Sequence, residues 1–454
     1  MTECNSQLDF GSLLGLEVVA DFGGGRLSSD GGVMLLLEAD RRLGLTAALT
    51  GCVRDRRDQS MITHTMWTLL AQRIYQIACG YEDCDDADYL RYDWAFKTAL
   101  QRRPESDPDL ASQPTLSRLE NSVGRTDLCR MADVFIEQFI RRYATAEKCR
   151  IIVDLDATDD ETHGQQQFAA FLTPYDEHCY LPLIVTAHVD DRPQELLVAM
   201  LQPGNTHAGS HAVAVLDRLL PRLQQACPRA RLLIRADGGF AKPALYNWCE
   251  KHRKSVDYEI NLPQNKVLKQ LAAPYLERVH ARHEKTGQWQ QVFGAVKYRA
   301  QGWPHQRRVV IKAEVAVDRH GKLKDNPRFV VTNLTATAAG RLYKHYCLRG
   351  DMENRIKELK NDLKSDRTSC HRFMANQLRV FLHAAAFVLH CELRRQLHGT
   401  PLERAQVKTL QVKLLKLGVQ VRQTARRIWL HFAADCPTQH LWPLLLERLR
   451  AAPT

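Results

Sequence analysis

The chain has 454 residues, 63 of them Lys or Arg and 52 Asp or Glu, for a formal net charge of +11. At roughly 100–200 residues per domain, that length predicts two to four domains, or one catalytic domain with insertions. Apolar residues at 44% and charged residues at 25% exclude wholesale disorder, and no apolar run reaches the ~18 residues of a membrane span. The first residues, MTECNSQLDFGSLLG, lack the basic start and apolar core of a secretory signal, so a cytoplasmic protein with no membrane partner is expected. The 13 cysteines are odd in number and read as reduced thiols rather than a disulfide framework.

The position of the charge says more than its total. From Arg341 to Thr454 there are 21 Lys or Arg against 9 Asp or Glu, a net of +12, and residues 1–340 sum to −1. The whole excess therefore lies in the last quarter, where it suits an anionic partner. An acidic stretch, Glu82, Asp83, Asp85, Asp86 and Asp88, reads as a solvated face.

Residues 1–147 read as mostly helical. Ser29-Asp30 would cap a helix running from Gly32 to Leu43, and Met61–Ile77 has apolar residues at helical spacing. Further helices are predicted from Pro114 and over Met131–Tyr143. Gln113-Pro114-Thr115-Leu116-Ser117-Arg118 fits a plain capped helix or the start of a recognition helix. Residues 148–262 change pattern. Arg150–Asp156 is a short apolar run ending in carboxylates, Tyr180–His188 and Glu195–Leu201 form a hairpin, and Ala208–Ala226 is an amphipathic helix. Arg231–Asp237 is a second buried strand ending in a carboxylate, followed by a helix over Lys242–His252 and a strand over Asp257–Leu262. Three strands, helix, strand, helix, strand is the order of a ribonuclease-H-like α/β core. Its closing helix is delayed by a strand-rich insertion, 263–345, and returns over 346–375. The basic region 376–454 is helical to about Leu397 and again over Glu403–Leu417, with a short strand over Thr424–Phe432.

Two apolar strands ending in Asp at one sheet edge need compensation, because an unpaired buried carboxylate is costly. A hard divalent cation supplies it. Tyr346, Arg349, Glu353 and Lys360 are spaced 3, 4 and 7 apart, which in one regular helix stacks them on a single face. A carboxylate between an Arg and a Lys suits a metal ion flanked by phosphates; an exposed helix with an Arg349–Glu353 ion pair explains the spacing as well. Cys249-x2-His252 and His280-x2-His283 have zinc-like spacing that 13 Cys and 18 His make expected by chance.

The spacing Tyr-x2-Arg-x3-Glu-x6-Lys resembles the signature of the insertion-sequence-4 superfamily of DDE transposases. The stretches LSSDGGVMLLLEADRRLGL (27–45), DLDATDDETHGQQQ (154–167), YDEHCYLPL (175–183), QPGNTHAGS (202–210), IRADGGFA (234–241), FVVTNL (329–334) and RGDMENRIKELKNDLKSDRTSCHRFMANQLR (349–379) are similar to the insertion-sequence-1380 family within it. The resemblance spans nearly the whole chain. It implies a catalytic, metal-binding triad of Asp156, Asp237 and Glu353 holding Mg²⁺, with Mn²⁺ able to substitute. Asp154, which shares a strand face with Asp156, is the alternative first ligand, and Asp159 and Asp160 are further candidates. The resemblance also implies DNA contacts by Tyr346, Arg349 and Lys360, and points to Arg367 and Arg372 as further contacts. An aromatic for an unstacked base is implied as well: Trp303, with Trp289 second, although a packed Trp in a β-hairpin accounts equally for the former. The implied activity is binding of terminal inverted repeats, two-metal cleavage and strand transfer into target DNA, with a hairpin intermediate known among relatives. A homodimer on paired ends, in a bacterial cytoplasm and on the nucleoid when DNA-bound, is implied too. A transposase-derived protein that binds DNA without cutting it, or a ribonuclease-H-like nuclease, are the competing expectations.

Overall fold

The structure, a computed structural model, describes residues 7–173, 175–317 and 323–451. It divides into two compact units: the described parts of Met1–Val123, Asp362–Lys364 and Ala385–Thr454, and those of Gly124–Asn361 and Ser365–Ala384. No described helix is long and apolar enough to cross a membrane.

The first unit opens with a hairpin, β1 (Leu8–Leu13) and β2 (Leu16–Ala20), joined through Leu14 and Gly15, both at positive φ. That two-residue turn suits the twist of antiparallel strands. Strand β3 (Leu27–Ser28) precedes α1 (Val33–Leu43), α2 (Leu45–Cys52), α3 (Met66–Ala78), α4 (Ala87–Leu90), α5 (Trp94–Ala99) and α6 (Gln113–Ser122). Ser29 and Asp30 do not cap α1. Its N-cap is Gly32, which makes no side-chain cap, and a Cβ there would lie 1.9 Å from the Leu414 carbonyl oxygen. Asp30 is buried instead, accepting from the Tyr81 hydroxyl at 2.7 Å and pairing with Lys416 at 3.2 Å.

The second unit begins with α7 (Arg125–Tyr143) and then β4 (Arg150–Ala157). A small three-stranded flap follows: β5 (Asp160–Glu161), β6 (Ala170–Leu172) and β7 (Glu177–Tyr180), in the order β5-β7-β6. Next come β8 (Leu183–Val189), β9 (Glu195–Met200), α8 (Ala212–Ala226), β10 (Arg231–Ala236), α9 (Pro243–Lys251) and β11 (Val256–Asn261). Their order across the sheet is β9-β8-β4-β10-β11, with β8 and β9 antiparallel to their neighbours and β4, β10 and β11 parallel. This is the ribonuclease-H-like order. The strands are nearly continuous apolar runs because both sheet faces are covered. Ile151, Val153 and Leu155 join Leu216, Leu223, Ile234 and Tyr258 in one core.

The segment after β11 contains more helix than its sequence pattern predicts. It starts with α10 (Lys266–Thr286), 21 residues long, capped by Asn265, whose side chain accepts from Leu268 N at 2.9 Å, and closed by Gly287 at φ +63. Then β12 (Gln291–Tyr298), β13 (Arg307–Val317), β14 (Leu323–Asp325) and β15 (Arg328–Thr332) continue the same sheet beyond β11, in the order β12-β13-β15-β11, with β14 on β13. The sheet thus reaches nine strands, and Val309, Ile311, Phe329 and Val331 extend the core already begun. Helices α11 (Ala339–Cys347) and α12 (Gly350–Lys357) and a π-helical turn (Glu358–Asp362) follow.

The chain returns to the first unit within α13 (Phe373–Gln396). The predicted helix over Glu403–Leu417 is realised as α14 (Val407–Leu410) and a π-helical turn (Gln411–Leu415). Strands β16 (Val419–Gln423) and β17 (Ile428–Phe432) pair, β16 also pairs with β3, and α15 (Leu441–Arg450) ends the described chain.

One polar ladder crosses the centre of the nine-stranded sheet. Asp154 of β4, Arg235 of β10 and Glu259 of β11 are in register and buried. Arg235 grips Asp154 with two hydrogen bonds, 2.7 and 2.8 Å, and donates a third, 3.0 Å, to the carbonyl of His345 in α11. His345 Nδ1 stands 2.9 Å from Glu259. Removing one member strands a buried charge, which costs about 3–5 kcal/mol. Asp154→Ala is therefore expected to lower unfolding stability by about that amount in urea titration, whereas a loss under ~1 kcal/mol would show the ladder to be energetically idle.

Candidate active site

Strand β4 carries Ile152, Asp154 and Asp156 on one face, and β10 carries Arg235 beside Asp154. Two residues further along, just past the last paired residues Ala236 and Leu155, come Asp237 and Asp156, and the Asp237 charge acts on the Asp156 carboxyl. Asp237 leaves the strand as N-cap of a 3-10 turn, Gly238–Phe240, with its Oδ1 accepting from Gly239 N at 2.9 Å. The close packing of this turn explains part of the motif 202–210: a Cβ on Gly209 would sit 3.3 Å from the Gly239 carbonyl and from Phe240.

The third carboxylate arrives differently from the single-helix expectation. Tyr346 lies in the last turn of α11, Leu348 is its C-cap, and Arg349 is the N-cap of α12, which carries Glu353 in its first turn. Arg349 lies between two acids, donating to Asp156 Oδ2 at 2.8 Å and to Glu353 Oε1 at 3.4 Å. Tyr346 is partly buried beside them, its hydroxyl 3.4 Å from the Ala236 carbonyl. Lys360 makes a different pair. The π-helical turn adds a residue to the winding, and Lys360 pairs with Asp159 at 2.8 Å.

Burial raises the Asp156 carboxyl above its ordinary range, and Asp237 adds to this, while Arg349 opposes it. Asp159 is held below its ordinary range by Lys360 despite partial burial. Burial works against the Arg349 charge, yet Asp156 and its neighbours keep the guanidinium pKa above its ordinary value. Asp154 and Asp160 are otherwise engaged. The first is held by Arg235 and by Gln194 at 2.7 Å, and the second is buried, accepting from the Thr368 hydroxyl at 3.0 Å. Thr368 thus secures the flap and caps no helix.

The remaining expected contacts scatter. Trp303 is 5% exposed, packed edge-on against Tyr246 and Tyr298 with the Arg307 guanidinium 4.7 Å from its ring. It is a core residue, not a surface aromatic, because the insertion's strands join the main sheet and close over it. Trp289 is exposed. Arg367 is exposed and Arg372 partly so, both just before α13. What sequence reasoning missed is the flap, whose strands of two to four residues are too short to show periodicity.

A family model described as transposase DDE domain group 1 matches residues 10–454. The chain belongs to this DDE transposase family. No curated protein compared with it matches. Among solved structures it resembles a piggyBac transposase synaptic complex with hairpin DNA at 12% identity and a TM-score of 0.42, over 86% of this chain and 80% of that one. It also resembles the NurA nuclease from Sulfolobus solfataricus at 9% identity and a TM-score of 0.24, over 63% of this chain and 98% of that one. At those scores neither neighbour decides the fold, which rests on the strand order above.

DDE transposases generally use divalent metal ions. Among the described residues, no three His, Cys, Asp or Glu side chains are gathered closely enough to hold one. Glu353, its side chain 55% exposed, is tethered to Arg349 rather than turned to the two aspartates. The donor set nonetheless fits a hard cation: all three groups are carboxylates, two of them, Asp156 and Glu353, share one guanidinium, and Lys360 is engaged by Asp159. Arg349 stands where positive charge is needed. Replacing it removes a charge-assisted pair that an incoming ion must displace, a difference of about 1.5–3 kcal/mol. Mn²⁺ binding to the DNA-free Arg349→Gln protein, followed by electron paramagnetic resonance, is expected to tighten roughly tenfold. Unchanged affinity would show that the guanidinium does not compete.

Proposed function

We propose that this transposase binds the terminal inverted repeats of an insertion sequence of the 1380 family and cuts and joins DNA there, with Asp156, Asp237 and Glu353 as the catalytic carboxylates. The observation that carries the reading is the meeting of Asp156 and Asp237 at one sheet edge, with Arg349 linking Asp156 to Glu353. Asp154 is set aside as first ligand because both its oxygens are taken by Arg235 and Gln194.

Mg²⁺, or Mn²⁺ in its place, would be held by the three carboxylates and would supply activation of the attacking hydroxyl and stabilisation of the leaving oxygen. The chain's own groups do the rest. Asp237 is fixed by Gly239 N, so it needs little reorganisation. Arg349 forks toward phosphate oxygens once an ion takes over its carboxylates, and Tyr346 lies beside it to orient the same strand. Lys360, as a point charge at the mouth of the site, suits a neighbouring phosphate. Arg367 and Arg372 suit the backbone further along. After the first cut, a freed 3′-hydroxyl can serve as nucleophile in the same site, which accounts for strand transfer without a covalent enzyme intermediate. A hairpin end and a homodimer on paired ends belong to this proposal as well.

The test uses the full chain, Mg²⁺ and labelled DNA containing the inverted repeats that flank its gene. Asp156→Asn, Asp237→Asn and Glu353→Gln are each expected to slow cleavage about a thousandfold or more, the equivalent of several kcal/mol, and to leave end binding within about threefold. Wild-type rates in Glu353→Gln would remove that residue from the triad.

A further inference from the structure

The last quarter of the chain carries its excess charge unevenly. From Arg404 to Ala434 there are seven Lys or Arg and no Asp or Glu, more than half of the excess that begins at Arg341. One of the seven is committed inside the first unit: Lys416 pairs with the buried Asp30 at 3.2 Å and lies 3.5 Å from the centre of the Tyr81 ring. Three others, Arg422, Arg426 and Arg427, are gathered on the hairpin of β16 and β17. All three are exposed, and among the described residues none of them meets a carboxylate.

The hairpin presents these cations in a fixed arrangement. In β16, Val419 and Val421 are buried while Gln420 and Arg422 are exposed; in β17, Trp429 and His431 are the exposed residues. The register sets Arg422 opposite Trp429 and Gln420 opposite His431, so the four share the solvent face. The connecting turn is closed between Thr424 and Arg427. Thr424 N donates to the Arg427 carbonyl at 2.8 Å, and Arg427 N donates to Thr424 Oγ1 at 3.1 Å. The Arg427 guanidinium stands 5.6 Å from the centre of the Trp429 ring, and that ring is parallel to His431 within 5°, their centres 5.8 Å apart. On the far side of β16 the sheet continues into β3, where the carbonyl of the exposed Arg26 accepts from Val421 N at 2.9 Å.

Two ordinary reasons for surface charge do not cover this pattern. Cations on an edge strand deter pairing with other chains. Arg422, however, is on β16, the middle strand of the three, and the edge strand β17 shows Trp429, 44% exposed, and His431. Surface cations also offset neighbouring acids. Glu105 does come to the base of the hairpin, but through its backbone, whose N–H donates to Gln423 Oε1 at 3.1 Å. Gln423 alternates with Arg422 and so belongs to the inward face, with Val419 and Val421.

We propose that the solvent face of β3, β16 and β17 is a docking surface for the phosphate backbone of duplex DNA, with Arg422, Arg426 and Arg427 as the phosphate contacts. The inference rests on the DNA-binding part of the function proposed above, and it adds a surface in the first unit that responds to charge and not to sequence. Guanidinium groups fork onto phosphate oxygens, and such contacts position a duplex without reading its bases. Trp429 is a positioning residue, because a guanidinium resting on an aromatic ring is already oriented before DNA arrives. A terminal repeat and an unrelated duplex offer this surface the same chemistry.

Fluorescence anisotropy tests it with the full chain in EDTA, where nothing is cut. Two labelled duplexes of about 30 base pairs are compared, one with the inverted repeat that flanks the gene and one with a scrambled sequence. Joint replacement by Arg422→Gln, Arg426→Gln and Arg427→Gln is expected to lower the slope of log affinity against log salt by about 2–3. It is also expected to weaken both duplexes on the order of a hundredfold near ~0.1 M salt. The same three positions changed to Lys keep their charge and are expected to retain most of the slope, which separates lost contacts from lost folding. Trp429→Ala is expected to cost severalfold in affinity and Trp429→Phe to restore most of it; full affinity in Trp429→Ala would remove that residue from the surface. An unchanged slope in the Gln variant, or a loss confined to the inverted-repeat duplex, would overturn the proposal. Neither result touches the function proposed above, which fails on a different one: no cutting of the repeat duplex by the wild type in Mg²⁺.

Discussion

The site depends on the buried contact of Arg235 with Asp154. An arginine and an aspartate facing each other on adjacent central strands are expensive to desolvate, and such a pair is a poor source of net stability. Its effect is positional. With both guanidinium–carboxylate bonds made, β4 and β10 are locked in the register that sets Asp156 beside Asp237. A slip of one residue would turn every side chain of the strand to the opposite face and separate the two acids. The third bond of Arg235, to the His345 carbonyl, and the contact of His345 with Glu259 fasten α11 to the same sheet. Since Tyr346 and Arg349 follow within four residues, the ladder positions the helical half of the site as well as the strand half.

Much of this was legible in the sequence, and the reason is local. Apolar runs such as Arg150–Asp156 and Arg231–Asp237 report strands buried on both faces, and a carboxylate closing each marks the sheet edge that matters. The strand–helix alternation then orders the core. What was not legible depends on tertiary packing. Lys360 sits at the right interval for a shared helix face, yet the break between α11 and α12 and a π-helical turn interrupt the regular phase on which that interval relies. Asp154 and Asp156 are equivalent in pattern, and only the partner across the strand separates them. Trp303 reads as a turn aromatic because a hairpin tip is usually exposed, but β12 and β13 join the main sheet and bury it. Helix α10 left usable signals in Asn265, in Gly287 and in Leu268, Leu271, Ala272, Tyr275, Leu276 and Val279 at helical spacing, with Pro274 interrupting its interior.

The charge pattern gains meaning from the same geometry. The excess positive charge after Arg341 is not a uniform basic face. Arg349 is committed to Asp156 and Glu353, and Lys360 to Asp159. Two cations of the basic quarter are therefore paired with acids of the candidate site itself. Under the proposed function, a cation held by the carboxylates would free Arg349 for phosphate, and a phosphate drawing Arg349 away would leave the carboxylates short of positive charge. Each event would then favour the other. If both ligands bind as proposed, the two would be thermodynamically linked through one guanidinium, and any difference in metal affinity with and without DNA would appear equally as a difference in DNA affinity with and without metal.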